Sequence, residues 1–127
     1  MSKRRNISSG VKWEDIVGYS RAVIVEGRIL ISGTTSIIGG EIRGKGDFYI
    51  QTKTILQKIE KILIDAGSSM EKVIRTRIYT TDISKWEEIG RAHCEFFDKV
   101  RPATAMIEIK GLVDPEMLVE IEAEAIE

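Results

Sequence analysis

The sequence predicts a two-layer α+β domain, with one mixed sheet and two helices packed on one of its faces. Three observations predict it. Two C-terminal runs alternate apolar and polar residues with a period of two. Two central stretches repeat apolar residues every three or four positions, the spacing of an amphipathic helix. Glycines punctuate short apolar runs in the first third of the chain, as tight hairpin turns do.

Taken in order, Met1 to Ser20 has no regular period, only a short edge strand expected around Ile7, with Trp13 and Tyr19 as aromatic islands among polar residues. Ala22–Val25 and Arg28–Ser32 are apolar runs joined by Glu26-Gly27, a two-residue hairpin loop, and Gly33 breaks the second run. Ile37-Ile38 and Glu41-Ile42 flank Gly39-Gly40 in the same way, and a loop follows through Gly44 and Gly46. Asp47 is the expected cap of a helix starting at Phe48. Its apolar stripe is Ile55, Ile59, Ile62 and Ala66, and Gly67 supplies the stop.

Val73–Thr80 reads as a strand with Ile74, Thr76, Ile78 and Thr80 on one face and Val73, Arg75, Arg77 and Tyr79 on the other. Ser84-Lys85-Trp86-Glu87 has the form of a capping box. The helix it opens carries Trp86, Ile89, His93, Phe96 and Phe97 on one stripe and stops near Arg101-Pro102, because a residue before proline avoids the helical region. In the next strand Ala105, Ile107 and Ile109 form the expected dry side, and Thr104, Met106 and Glu108 the wet side. Lys110–Pro115 is a connection. In the last strand Val119, Ile121, Ala123 and Ala125 alternate with Glu120, Glu122 and Glu124. Three carboxylates on one face cannot form an ordinary core. They face solvent, a wet cleft, or cations such as Arg75 and Arg77 on the neighbouring strand or another chain. Two helices cover one side of the sheet and nothing is left to cover the other, so association of several copies is expected there.

Composition excludes several functions. A length of 127 residues fits one domain, and a formal net charge of −1 lacks the basic surface that nucleic-acid binding requires. No apolar run approaches a membrane span, and the N-terminus does not read as a secretory signal. A single cysteine permits no internal disulfide, which fits a reducing, cytoplasmic setting. His93 and Cys94 are the only residues of their types. As neighbours on a helix they point about 100° apart and cannot act as a pair. They supply too few ligands for zinc, and a Ser-His-Asp site has only His93 to draw on. His93 reads as a satisfied core histidine and Cys94 as an inert helix residue. The glycine pairs lack the Lys-Ser/Thr ending of a phosphate loop.

Carboxylates and arginines remain. Glu120 is the first candidate for general acid–base work, since a glutamate on a rigid strand facing a cleft can hold a water; Glu122 and Glu124 fit the same pattern. Arg21, Arg75, Arg77 and Arg101 are the candidate anion holders.

Five segments add a resemblance: Gly18-Tyr19-Ser20-Arg21-Ala22-Val23, Ile31-Ser32-Gly33, Thr80-Thr81-Asp82-Ile83, Arg101-Pro102-Ala103-Thr104 and Val119-Glu120-Ile121-Glu122-Ala123. In this order and spacing they resemble the RidA/YjgF family of reactive intermediate deaminases, also called endoribonuclease L-PSP-like, over nearly the whole chain. The resemblance implies one chorismate-mutase-like domain over 1–127. It also implies a homotrimer whose sheets form a central barrel, with helices outside and ligand clefts between subunits. It implies hydrolysis of enamines or imines to 2-oxo acids and ammonia, with no metal and no cofactor. Tyr19, Ser32 and Gly33 match ligand-side positions, and Glu120 matches the water-handling glutamate. The P-A-R arginine of the deaminase branch is absent. Thr104 stands in its place, and Gly90 replaces a polar helix residue, as in a less characterised branch. On this reading Thr104 meets the ligand by a hydrogen bond and Arg21 or Arg101 brings the charge. The alternative is a trimer that binds a small metabolite without turning it over. RNA cleavage, claimed for some members, fits the charge balance least.

Overall fold

A computed structural model describes residues 3–127. The elements run β1 (Arg5–Ile7), α1 (Lys12–Val17), β2 (Ala22–Val25), β3 (Arg28–Thr34), β4 (Ile37–Ile38), β5 (Glu41–Ile42), α2 (Phe48–Asp65), β6 (Val73–Thr80), α3 (Trp86–Phe97), β7 (Ala103–Glu108) and β8 (Val119–Ile126). Six strands form one sheet in the order β1-β2-β3-β8-β6-β7, and β4 and β5 form a separate small ribbon. All neighbours in the large sheet are antiparallel except β6 and β7, which the α3 crossover makes parallel. This is the mixed-sheet α+β architecture expected, with α2 and α3 on one face.

Local chemistry accounts for the boundaries. Glu26 and Gly27 both take positive φ, 50° and 75°, as the two-residue β2–β3 hairpin requires. Asp47 accepts a hydrogen bond from Ile50 N at 2.9 Å and caps α2. At the other end Gly67 takes φ 83°, and its N–H and that of Ser68 close onto Ile64 O and Leu63 O. That is the paired closure that satisfies the last helical carbonyls. Ile55, Leu56, Ile59 and Leu63 are fully buried against Ile29, Ile121 and Ala123 of the sheet, each stabilising the fold by roughly 1.5–3 kcal/mol.

Five details depart from the sequence pattern. Residues 12–17 form a short helix, α1, inside the segment read as irregular. A register shift between Val73 and Arg75 turns Val73 into the core (3% exposed) and leaves Ile74 at 42%. Ser84 caps nothing: it lies in a 3-10 turn, Ile83–Lys85, and its N–H and hydroxyl both go to Asp82 Oδ1, so Asp82 is the capping residue of that turn. The helix α3 ends at Phe97, short of the proline, and Arg101 takes φ 54° to turn the chain into β7. Finally, β7 is inverted. Thr104 lies opposite Thr76 and bonds to it, Met106 packs on the core, and Ile107 is 43% exposed. The side of β7 beside the helices therefore carries Thr104 and Met106, because the parallel register to β6 fixes which way each residue faces.

The open face carries Arg28, Arg77, Glu122 and Glu124, with Leu30, Ile107 and Ile126 between them. No helix among the described residues is long and apolar enough to cross a membrane.

Candidate functional site

Glu120 points from the start of β8 into a cavity of about 680 Å³. The strand is fixed there by Gln51 of α2, which is fully buried. Its side-chain amide donates to Glu116 O at 2.9 Å and accepts from Leu118 N at 2.9 Å, tying the loop before β8 to the helix. Across the cavity Gly33 completes the fit. A Cβ built on Gly33 would sit 2.6 Å from Glu120 Oε1, so glycine leaves the carboxylate room to stand where it does, and a side chain there would push it aside. A register shift in the β3–β8 pairing between Ile31 and Thr34 opens the strands at this point.

Three cations line the cavity, the exposed Lys12 and, deeper, Arg21 and Lys58. Arg21, placed just before β2, is 8% exposed; its Nη2 donates to Gly33 O at 2.6 Å, and its Nε has no hydrogen-bond partner. Its guanidinium carbon lies 5.8 Å from the Tyr19 ring centroid, within cation–π range. Lys58 reaches from α2, and its Nζ donates to Thr35 O and Ile37 O, both at 2.7 Å. Burial, reinforced by the nearby Arg21 charge, pulls the Lys58 ammonium down to about 8. Burial pushes the Glu120 carboxyl above its ordinary value; Arg21 opposes that shift and Glu122 adds to it. Much of the remaining wall is apolar, from Trp13 and Val17 of α1 and from Val113 and Met117 before β8.

Behind Arg21 lies Glu14 of α1, 5% exposed. Burial raises its carboxyl, but hydrogen bonds from Ser9 and Ser8 and the Arg21 charge outweigh that and hold it below the ordinary range. Glu14 thus anchors α1, and with it Trp13, over the cavity.

The structure brings Glu120, Tyr19 and Gly33 together with Arg21 in this one cavity. It does not bring in the other three expected residues. Ser32 lines a neighbouring hollow on the far side of Tyr19, and its Oγ donates to Ser20 O at 2.6 Å. Arg101 projects into solvent with its side chain 79% exposed, bonded to Asp98 O and Oδ1. Thr104 Oγ1 lies 2.8 Å from Thr76 Oγ1, which lies 2.9 Å from His93 Nε2. This polar chain runs on the helix side of the sheet, with His93 stacked on Phe97 and burial lowering its pKa. Cys94 is exposed.

Glu122 and Glu124 are engaged elsewhere. Glu122 accepts from Tyr79 Oη at 2.9 Å and pairs with Arg77 at 3.3 Å, and Glu124 pairs with Arg28 at 2.8 Å and Arg77 at 3.7 Å. The hollow they line with Arg75 holds only about 70 Å³. Among the described residues no three His, Cys, Asp or Glu side chains gather as a metal site.

Sequence reasoning missed Lys58 and Trp13. Lys58 is one of several charged residues on α2, and only its short reach to two loop carbonyls separates it from the rest. Trp13 gave a signal as an isolated aromatic, without the helix that aims it.

Comparison with known proteins places the chain among relatives of the same size. The family model described as Endoribonuclease L-PSP matches residues 10–127. The uncharacterised protein SCO2049 of Streptomyces coelicolor is 38% identical over 121 residues, 95% of this chain and 90% of that protein. The crystal structure of Rv2704 from Mycobacterium tuberculosis, described as a member of the YjgF/YER057c/UK114 family, is 44% identical with a TM-score of 0.90. The match covers 98% of this chain and 100% of that one. A Yersinia pestis protein described as of the conserved Rid family matches at 26% identity and TM-score 0.86, over 98% of this chain and 100% of its own.

Proposed function

This chain belongs to the endoribonuclease L-PSP family, also known as RidA/YjgF, and on that premise we propose that it hydrolyses small imines or enamines to 2-oxo acids and ammonia. One observation carries the reading: a guanidinium, that of Arg21, lines the same cavity as Glu120 although the family arginine position holds Thr104. Arg21 binds the substrate carboxylate, offering its unpartnered Nε. Glu120 takes a proton from water as the oxygen adds to the C=N carbon and passes it to the nitrogen, giving a carbinolamine; it then carries the carbinolamine hydroxyl proton to the nitrogen as the C=O bond forms, the C–N bond breaks and ammonia leaves. A carboxyl raised by burial suits both halves of that exchange, because its affinity for the proton is closer to working pH. Tyr19 and the apolar wall hold the rest of the ligand. Metal ions and cofactors have no part in this scheme.

The assembly belongs to the same proposal. The open face mixes ion pairs with exposed Leu30, Ile107 and Ile126, a surface suited to meeting further copies in a homotrimer with the cavities at the seams. The net charge of −1 supports a small anionic ligand over RNA.

The test is ammonia release from an imine generated in situ by an amino-acid oxidase. The wild type is expected to accelerate release well above buffer, and sedimentation is expected to give the mass of three chains. A wild type that binds 2-oxo acids but leaves the rate at the buffer level is a binding protein, and the hydrolytic reading falls.

A further inference from the structure

The cavity holds an excess of positive charge. Lys12, Arg21 and Lys58 line it against one carboxylate, Glu120, in a chain whose net charge is −1. No salt bridge joins Arg21 or Lys58 to a carboxylate among the described residues. Lys12 is exposed and Arg21 shares its charge with Glu14 and Glu120, but Lys58 is half-buried beside the Arg21 charge with no carboxylate paired to it, an unfavourable placement that needs a reason.

The hydrogen bonds point to one. An ammonium has three N–H donors. Lys58 spends two on Thr35 O and Ile37 O, which leaves one for the cavity it lines. Arg21 spends Nη2 on Gly33 O and keeps a buried, unpartnered Nε. Each cation is thus held rigidly by backbone carbonyls with donor capacity to spare.

We infer that Lys58 and Arg21 together form a carboxylate clamp, with Lys58 taking the anion-holding part that Thr104 does not fill. The ligand carboxylate lies between the two cations, supplies the missing negative charge and receives the free donors. The ligand's other end then lies towards Trp13, Val17, Val113 and Met117, which accept an apolar side chain. This rests on reading the cavity as the ligand site, but it does not require turnover. A purely structural Lys58, tying α2 to the loop after β3, accounts for the two carbonyl bonds but not for a charge left without a partner.

Calorimetric binding of 4-methyl-2-oxopentanoate from pH 7 to 9.5 tests the clamp, with its methyl ester as the neutral control. Lys12, Tyr19, Arg21 and Glu120 also face Lys58 across the cavity, so the variants must isolate position 58. The wild type is expected to bind the acid, not the ester, and to lose affinity as the pH rises past about 8, where Lys58 discharges. Lys58→Gln keeps a donor for the carbonyls but no charge. It is expected to weaken binding roughly tenfold to a hundredfold and to abolish the alkaline fall. Lys58→Arg stays charged throughout and is expected to restore binding without that fall. Equal affinity of Lys58→Gln and wild type with the same pH profile overturns the clamp, as does equal binding of the ester. A wild type that binds no acid at millimolar concentration overturns the clamp and the ligand site together. Lysine-dependent binding without ammonia release keeps the clamp and sinks only the hydrolytic reading.

Discussion

The two ends of β8 carry the same residue type on the same side of one sheet, in opposite circumstances. At the far end Glu122 and Glu124 are engaged: Tyr79, Arg77 and Arg28 all reach them from neighbouring strands. At the near end the carboxylate of Glu120, two residues away, accepts no hydrogen bond among the described residues and lies in a cavity with the buried Arg21 and the half-buried Lys58, neither of which forms a salt bridge with it. The supply of partners therefore sets Glu120, the glutamate given the chemical role in the proposed reaction, apart from its two paired neighbours. A carboxylate held by a hydroxyl or a guanidinium has its charge spent on structure; one whose pKa is raised by burial and whose oxygens are open is free to hold a water.

The largest effect expected is on turnover. Glu120→Gln should slow ammonia release by roughly 100-fold or more, and Glu122→Gln should leave it within about threefold. Equal losses would erase the distinction between the two ends.

A smaller effect is expected from Gly33→Ala. The new Cβ would lie 2.6 Å from Glu120 Oε1, but the clash is with the end of a flexible side chain that can swing aside. Turnover should fall about tenfold while stability changes by about 1 kcal/mol or less, read by kinetics beside chemical denaturation.

Stability against pH sharpens the contrast further. The Glu120 carboxyl is raised on folding above 4.5, so the folded chain holds that proton more tightly. Its contribution is fully present below the unfolded value and is lost as pH rises through the folded value. Lys58 is lowered from 10.5 to about 8, so the unfolded chain holds that proton more tightly and stability rises with pH between those two values. Denaturation midpoints measured in parallel should show Glu120→Gln losing the fall above pH 4.5 and keeping the alkaline rise, and Lys58→Gln doing the reverse.

The smallest effect belongs to the far end. The Arg28–Glu124 pair is exposed on the arginine side, 57% against 20%, so Arg28→Gln should cost less than about 1 kcal/mol in denaturant titrations, and less still at high salt.

Much of this was legible in the residues. The hairpins, the Asp47 cap, the Gly67 stop and the alternation that puts Glu120, Glu122 and Glu124 on one side are local, and local chemistry decides them. What stayed hidden depends on distant partners. Six residues are too few to show a helical period, so α1 was invisible and Trp13 had no direction. The facing of β7 follows from its parallel register to β6, which its own alternation of Ala, Met and Ile cannot specify. Ser84 mimics a capping box, yet Asp82 lies closer and is ionised, and it takes both donors. Arg101 and Thr104 were expected to meet a ligand in a cleft between subunits; within one chain they lie away from Glu120, Arg101 in solvent and Thr104 on the helix side of the sheet. Glu120 was singled out from its two neighbours, but the reason that separates them exists only in the folded sheet: Tyr79 lies opposite Glu120 in register, yet its hydroxyl turns to Glu122, and Arg28 reaches only Glu124.

Electron density for 4-methyl-2-oxopentanoate soaked into crystals tests the central claim most directly. The account predicts the ligand carboxylate on the Arg21 guanidinium, inside the cavity, with its carbonyl carbon beside Glu120. A ligand held by Arg101, or one seated against Arg77 and Glu122, would contradict it.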